Sequence, residues 1–320
     1  MAPTVAELFA SPDHYLHAFD GGDAVFVAMD RAAYRRSIFL DGRISQAGPA
    51  TWRVPVASLL AEMPEPQPLA WIFHVAHCGS TLLARAIDEL GGGLVLREPL
   101  ALRQVALAPD PARLQLVLAM LSRRYPGDGR TLVKANVPAN FILTELAASN
   151  PQTPAILLHL GLCDYLLAIL RSDNHRGWLH QITGLLAAHL DPFDPANDGE
   201  RAAALWLAQT ERFSATLFIM PEAMACDGER FLSEPTSFLH QAVSILGVRA
   251  DTRRIASVAD GAMFSTYSKR PDIPFDNFAR QTRRTALQQT LAPELAAAGA
   301  WLARARNGTV SASALGDASV

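Results

Sequence analysis

The segment that decides the fold covers positions 69–83 and reads Leu69-Ala70-Trp71-Ile72-Phe73-His74-Val75-Ala76-His77-Cys78-Gly79-Ser80-Thr81-Leu82-Leu83. Residues 69–76 form an apolar run that is typical of a strand buried on both faces. Residues 80–90 follow helical periodicity, with their apolar side chains along one stripe. A short loop with one glycine joins the two. This geometry favours anion binding, because the first N–H groups of a helix have no internal partners and the helix dipole attracts negative charge.

The loop residues have two interpretations. Gly79 allows the backbone to approach an oxygen-rich group closely, and Ser80 and Thr81 can donate hydrogen bonds to phosphate oxygens. The alternative is that Ser80 or Thr81 only caps the helix. Cys78 lies beside the same helix N-terminus, a position that lowers the pKa of a thiol.

Strands and helices alternate after this segment. We predict strands at residues 93–97, 131–134, 155–160 and 223–226, and helices at residues 112–121, 138–149, 164–171, 200–220, 237–246 and 277–306, the last broken at Pro293. Alternation of this kind predicts an α/β fold with three α/β/α layers, in which helices cover both faces of a parallel sheet, as in P-loop proteins.

The chain before this domain has a different character. Residues 1–68 form an N-terminal extension with strand-like runs at residues 24–29 and 37–40, and it closes in the proline-rich connector at residues 63–68. The domain of alternating strands and helices then covers residues 69–306, and the small, polar tail at residues 307–320 is predicted to be disordered.

Composition limits the class of protein. Of 320 residues, 50% are hydrophobic and 18% are charged, so the chain can bury a large core. The net charge of -3 gives no general attraction to nucleic acid or to an anionic membrane. The three cysteines are widely spaced, and His175 and His180 do not share a helix face well, so we predict no metal site. With no signal peptide or membrane span in the pattern, we expect a reduced, cytoplasmic protein.

A Walker A loop reads G-x-x-x-x-G-K-[ST]. When the two are aligned on Gly79, His74 occupies the position of the first glycine and Ser80 occupies that of the lysine. The lysine that grips the β- and γ-phosphates is therefore missing, which disfavours an ordinary ATPase or GTPase.

Residues 73–83 resemble the 5′-phosphosulfate loop of the sulfotransferases, which reads basic-Ser-Gly-[Ser/Thr]-Thr before a helix. His77 occupies the basic position and Cys78 that of the serine, and Gly79, Ser80 and Thr81 match. Four further stretches are similar to the bacterial branch of this family, at residues 96–99, 133–136, 228–235 and 267–269.

The resemblance implies an enzyme that moves a sulfuryl group from 3′-phosphoadenylyl sulfate (PAPS) to a hydroxyl or amine, leaves adenosine 3′,5′-bisphosphate (PAP) and needs no metal. Residues 77–82, from His77 to Leu82, would hold the donor. Glu98 would be the general base, with Lys134 or His77 as the cation of the transition state. From the residues alone, a surface role for each of these three side chains stays open. The acceptor is also open, and a small molecule, glycan, lipid or peptide is compatible with the pattern, as is any oligomeric state.

Two departures from the family pattern leave other functions open. The arginine and serine that bind the 3′-phosphate in the family are replaced by Leu160 and Ala168. Other basic residues are candidates to bind the 3′-phosphate in place of these two ligands; in order along the chain they are His159, Arg171, Arg253, Arg254, Lys269 and Arg270. The alternatives are a P-loop kinase or NTPase that uses Asp164 for magnesium, and a sulfotransferase-like protein that binds ligands without catalysis.

Overall fold

The computed structural model describes residues 3–190, 193–267, 270–274 and 276–308. The helices of these residues, α1 to α15 in chain order, are Val5–Ala10, Arg31–Arg36, Val56–Ala61, Ser80–Leu90, Leu100–Leu107, Pro111–Leu121, Leu143–Ser149, Leu162–Ile169, Asp173–Leu185, Asp198–Ile219, Gly228–Ser233, Pro235–Leu246, Thr252–Ala259, Asn277–Thr290 and Ala292–Gly308. Short 3₁₀ helices occur at Val137–Ile142, Ala187–His189 and Ala262–Phe264. The strands, β1 to β10, are His14–Asp20, Asp23–Ala28, Thr51–Pro55, Leu69–His74, Val95–Arg97, Thr131–Lys134, Ala155–His159, Ala223–Asp227, Thr266–Tyr267 and Arg270–Pro274.

A five-stranded sheet forms the centre of the molecule, with the order β5-β6-β4-β7-β8. Every neighbouring pair in it is parallel. The central strand β4 is buried along its whole length, as its continuous apolar sequence predicts. Trp71 of β4 lies opposite Val133 on one side and Ala155 on the other. The predicted parallel sheet is therefore confirmed.

Helices cover both faces of this sheet. On one face α4 packs with α12 and α13, and on the other α10 packs with α7, α8 and the 3₁₀ helix Val137–Ile142. The three-layer α/β/α architecture predicted from the alternation of elements is confirmed. Because all five strands run in one direction, their carboxyl ends meet at a single edge, the position at which parallel sheets bind ligands. This carboxyl edge carries His74, Arg97, Lys134, His159 and Asp227.

The N-terminal extension is a three-stranded antiparallel sheet, β1-β2-β3, that packs on α5 and α6. The predicted strand at residues 24–29 is confirmed as β2. Arg97, which is almost fully buried, joins the extension to the parallel sheet. Its guanidinium donates to the carbonyl oxygens of Tyr34 and Ser37 and forms an ion pair with Asp88 at 2.9 Å. Burial lowers the pKa of Arg97, and Asp88 opposes this effect.

The predicted strand at residues 37–40 is wrong. Asp30 caps α2 by accepting a hydrogen bond from the Ala33 N–H, and the chain leaves this helix in an irregular segment. Within residues 37–40, the Leu40 backbone bonds to the backbone around β5: its N–H donates to the Arg97 carbonyl at 2.7 Å, and its carbonyl accepts from the N–H of Leu100, the first residue of α5, at 3.1 Å. A short apolar run carries no information about the helix that precedes it, and that helix sets the direction of the chain.

Most of the other elements that the sequence predicted have observed boundaries within two or three residues of the predicted ones. The predicted helix at residues 138–149 begins as the 3₁₀ helix Val137–Ile142 and continues as α7. The predicted break near Pro293 is confirmed, because α14 ends at Thr290 and α15 begins at Ala292. Residues 307 and 308 complete α15, and residues 309–320 of the predicted tail lie outside the described residues. Among the described helices, none is both long and apolar enough to span a bilayer.

Candidate functional site

The loop between β4 and α4 has an unusual backbone. His77 has a φ of 62° and Gly79 a φ of 91°, both in the left-handed region. Gly79 is the N-cap of α4 and makes no side-chain capping bond. Ser80 and Thr81 are the first helical residues, so the interpretation in which one of them caps the helix is wrong. The N–H groups of the first turn are consequently left for an acceptor outside the helix.

This first turn has the geometry of an anion site. Ser80 and Thr81 are 5% and 4% exposed, which fixes their positions against the core. Leu82 follows them in the same turn. Its side chain is buried and apolar, so its backbone N–H is the group it offers to a ligand. The helix dipole adds partial positive charge at this point. Residues 79–82 can therefore bind an anionic oxygen group through backbone donors.

The side chain of Cys78 lies in the hydrophobic core. It is fully buried, and its thiol donates to the Val75 carbonyl at 2.8 Å. Burial raises the pKa of the Cys78 thiol to about 11, so the expectation of a lowered pKa at the helix N-terminus is wrong. Desolvation of the thiolate outweighs the helix dipole here. Only the backbone of Cys78 remains available to a donor.

Helix α11 supports the loop from the other side. A Cβ atom on Gly228 would overlap the Cys78 carbonyl oxygen, and a Cβ on Gly79 would lie 3.3 Å from the Phe231 ring. The stretch at residues 228–235 entered the sequence argument only as part of the resemblance. The structure gives two of its residues a physical role, because Gly228 and Phe231 form the floor on which the loop rests.

Glu98 and Lys134 meet at the carboxyl edge. Glu98 has a φ of 55°, and its N–H donates to the Lys134 carbonyl at 2.8 Å. The Lys134 ammonium forms an ion pair with the Glu98 carboxylate. The Lys134 side chain is 1% exposed and that of Glu98 is 20% exposed. The two residues that the resemblance singled out after β5 and β6 are thus brought into direct contact.

His74 borders this ion pair. Its Nε2 lies 3.9 Å from the Glu98 carboxylate and 3.0 Å from the Ala135 carbonyl oxygen, and its Nδ1 lies 3.0 Å from the Val75 carbonyl oxygen. Asn136 lies two residues after the end of β6 and is 5% exposed, and its side-chain amide donates to the Pro99 carbonyl at 3.0 Å. The edge formed by β5, β6 and β4 is therefore a buried polar cluster around one carboxylate.

The N-terminal extension closes this cluster. The Phe39 ring, 6% exposed, lies 5.8 Å from the Lys134 ammonium, and the Arg43 guanidinium stacks on the same ring at 3.9 Å. Arg43 also donates to Asp41 at 2.9 Å. This hydrogen bond is the main cause of a raised Arg43 pKa, to which the charge of Glu98 adds. Sequence reasoning treated the extension as separate and missed Phe39 and Arg43.

On the other side of the loop, His77 contacts helix α9. The His77 and His175 rings are 4.4 Å apart and nearly perpendicular, and the Trp178 ring is 5.4 Å from His77. Arg171, from the turn after α8, lies 3.2 Å from the Nε2 of His175. Sequence reasoning considered His175 only as a metal ligand, so it missed the place of His175 and of Trp178 beside the loop.

The positions expected to bind a 3′-phosphate have other roles. Leu160 is 2% exposed, and its carbonyl accepts from the Trp206 indole at 2.8 Å. Asp164, proposed for magnesium in the kinase alternative, accepts from the Arg284 Nε at 2.6 Å. Burial raises the pKa of Asp164, with Arg284 acting in the opposite direction. Within the described ranges, no three His, Cys, Asp or Glu side chains are grouped to hold a metal ion.

The basic residues that are candidates to bind the 3′-phosphate lie in different parts of the molecule. Arg254 is directed to Glu89 near the far end of α4, at 2.9 Å. His159 lies on the carboxyl edge, and burial lowers the pKa of its imidazole. Arg171 is the one of these whose described contacts reach the loop, through His175. Lys269 and the side chain of Arg270 lie outside the described residues.

Comparison with known proteins gave structural matches alone. No protein-family model and no curated protein matches the chain. A sulfotransferase domain from the curacin biosynthetic pathway aligns with 67% of this chain and 87% of its own, at 14% identity and a TM-score of 0.43. A sulfotransferase from Alicyclobacillus acidocaldarius aligns with 73% of this chain and 95% of its own, at 14% identity and a TM-score of 0.40. A sulfotransferase domain from the Synechococcus PCC 7002 olefin synthase aligns with 68% of this chain and 85% of its own, at 13% identity and a TM-score of 0.36.

Proposed function

We propose that this chain is a sulfotransferase-like enzyme that transfers a sulfuryl group from PAPS to a hydroxyl or amine. The observation that carries the proposal is the position of two residues with a strained backbone. In the described part of the chain, His77 and Glu98 are the non-glycine residues with positive φ. Both flank the carboxyl edge, and strain of this kind costs about 1–3 kcal/mol per residue and clusters at functional sites.

Each part of the site has a chemical task in this reaction. The backbone donors of residues 79–82 bind the phosphosulfate and stabilise the charge that grows on the bridging oxygen as the S–O bond breaks. The Glu98 carboxylate accepts the proton of the attacking hydroxyl or amine. Lys134 contacts Glu98 directly, so we assign it the task of holding this carboxylate in place. His77 is then the better candidate for the cation that stabilises the transition state.

The kinase alternative is less well supported by the geometry. It requires a carboxylate at a strand end that is available to magnesium. Asp164 is the residue in the corresponding place, and the Arg284 guanidinium contacts it. The loop also has Ser80 where a phosphate-gripping lysine would stand.

The first test is calorimetric titration of the full chain with PAP, with ATP–magnesium in parallel. We expect PAP to bind in the micromolar range, roughly -8 kcal/mol, and Ser80→Ala or Thr81→Ala to weaken binding about tenfold, because each removes one hydroxyl donor from the loop. Ser149→Ala, an exposed serine at the end of α7, is the matched control and should bind normally. ATP–magnesium binding without PAP binding would favour the kinase. Binding of neither nucleotide by a folded protein would favour the non-catalytic alternative.

Transfer is tested separately. With PAPS and a panel of phenol, sugar, lipid and peptide acceptors, Glu98→Gln should lower turnover about 100-fold or more while PAP affinity stays unchanged. Equal turnover in Glu98→Gln and wild type would refute the role of Glu98 as base. If His77 anchors the donor, PAPS affinity should fall as the pH rises, because the protonated imidazole binds the anion. An affinity that is flat from acid to mildly alkaline pH would refute that anchor.

A further inference from the structure

Helix α9 brings additional basic groups to the mouth of the loop. The His175 ring packs edge-on against His77, and the Trp178 ring packs on His77 from the same helix. The Ser172 hydroxyl lies 2.7 Å from the Nδ1 of His175, which fixes the orientation of the imidazole. Two imidazoles from different elements therefore lie side by side where the loop opens.

An arginine completes this group. The Arg171 guanidinium faces both nitrogens of His175, with its Nε 3.3 Å from Nδ1 and its Nη2 3.2 Å from Nε2. A guanidinium is always charged, and its planar donors suit tetrahedral oxyanions. An anion bound beside an imidazole favours its protonated form. An anion at this point would meet up to three positive groups, supplied by the loop, by the turn after α8 and by α9.

His175 and Arg171 supply positive charge that the loop itself lacks. The family that the loop resembles has a strongly basic residue where this chain has His77, and a single imidazole is mostly neutral at neutral pH. A second imidazole and a guanidinium beside it restore the missing charge. His77 lies two residues before Gly79, so the groups that contact its ring lie beside the loop whose backbone donors are residues 79–82.

We propose that His175 and Arg171 bind the terminal sulfonate of the donor together with His77. This inference rests on the proposed function and adds two residues to the donor site. The sulfonate is present in PAPS and absent from PAP, and it is separated from the 3′-phosphate by the ribose. Loss of either residue should therefore weaken PAPS and spare PAP.

The test is calorimetric titration of the full chain with PAPS and with PAP, on wild type, His175→Ala and Arg171→Met. The matched control is His180→Ala, because His180 lies on the same helix and forms an ion pair with Asp198 at 2.8 Å. We expect PAPS to bind about tenfold more weakly to each variant, and PAP affinity and the control to change by less than about twofold. Melting temperatures measured alongside identify any variant that does not fold.

Three results would overturn the inference. Unchanged PAPS affinity in both variants removes the two residues from the donor site and leaves the proposed function intact. An equal loss for PAPS and PAP assigns the cluster to another part of the nucleotide or to the support of the loop. A wild-type protein that binds neither ligand overturns the proposed function and this inference together, so the two failures are distinguished by the wild-type titration.

Discussion

The two halves of the carboxyl edge differ in how their charged groups are paired and buried. At the ends of β5 and β6, Glu98 and Lys134 form an ion pair that is closed over by Phe39. Beyond the loop, His77 and His175 are half-buried, and Arg171 is exposed. In the first half opposite charges satisfy each other inside the protein. In the second, groups of one sign gather where solvent and ligands reach them.

The difference indicates a division of tasks. A buried and paired carboxylate keeps a fixed position, as a general base requires. Basic groups that the fold holds close together repel one another when charged, and a bound anion relieves that repulsion, as a donor site requires. Changes in the buried half, at its boundary with the loop and in the groups around it test this division of tasks.

The largest effect is expected from Lys134→Met. It leaves the Glu98 carboxylate, 20% exposed, without its ammonium partner, and removal of one member of a buried ion pair costs about 3–5 kcal/mol. Urea unfolding measures this free energy, and Lys134→Met with Glu98→Gln should recover part of the loss. Arg53→Met is the control, because the Arg53–Asp20 pair is more than half exposed and should be worth about 0–1 kcal/mol. Equal losses in the two variants would contradict the contrast between buried and exposed charge.

A somewhat smaller effect is expected from Gly228→Ala. The added methyl group would overlap the Cys78 carbonyl oxygen, so the loop or α11 must shift at a cost of about 1–3 kcal/mol. The same shift should weaken PAP binding. Gly184→Ala on α9 is the matched control, since its Cβ has no neighbour within 4 Å and should stabilise the helix by about 0.5–1 kcal/mol. Normal stability and PAP affinity in Gly228→Ala would show that the loop does not rest on α11.

Thiol reactivity distinguishes the interior of the loop from its surroundings. Cys163 is exposed, whereas Cys78 and Cys226 are buried, with pKa values raised to about 11 and about 12. Because the thiolate is the reactive form, brief treatment of the native protein with iodoacetamide near neutral pH should add one label, at Cys163. Mass spectrometry of the labelled peptides checks this result. Rapid labelling of Cys78 would mean that the loop opens readily.

The smallest effect is expected from pH. Burial lowers the pKa of His159 below the unfolded value of about 6.5, so the unfolded chain binds more protons than the folded one as the pH falls. The stability contributed by neutral His159 is present above that value and is lost as the pH falls through it toward the folded pKa. His159→Gln should therefore reduce the fall in stability between neutral and mildly acidic pH.

The control for this experiment is His180→Gln, since His180 is 53% exposed. Urea unfolding of both variants and wild type at the two pH values gives the comparison. Asp88 and Asp164 have pKa values raised by burial and act with the opposite sign, so the difference between variants is more informative than the wild-type curve. A His159→Gln protein with the wild-type pH dependence would contradict the assignment.

The central elements were predictable because their patterns are local. The bounds of α4 and β6 agree with the sequence to the residue. An apolar run without charge predicts a buried strand, and an apolar stripe that ends in glycines predicts a helix and its stop. The predicted strand at residues 37–40 failed because a short apolar run does not distinguish a strand from a segment that is buried by its neighbours.

The sequence by itself determined the parallel sheet, the strand–loop–helix unit and the residue types available to bind an anion. Only the tertiary structure decided which of them meet. Glu98 and Lys134 come together because β5 and β6 are neighbours in the sheet order, and Phe39 reaches them because the buried Arg97 fastens the extension to β5. His175 reaches His77 through the packing of α9. Contacts between distant parts of a chain depend on how its elements pack, and no local pattern of residues encodes that packing.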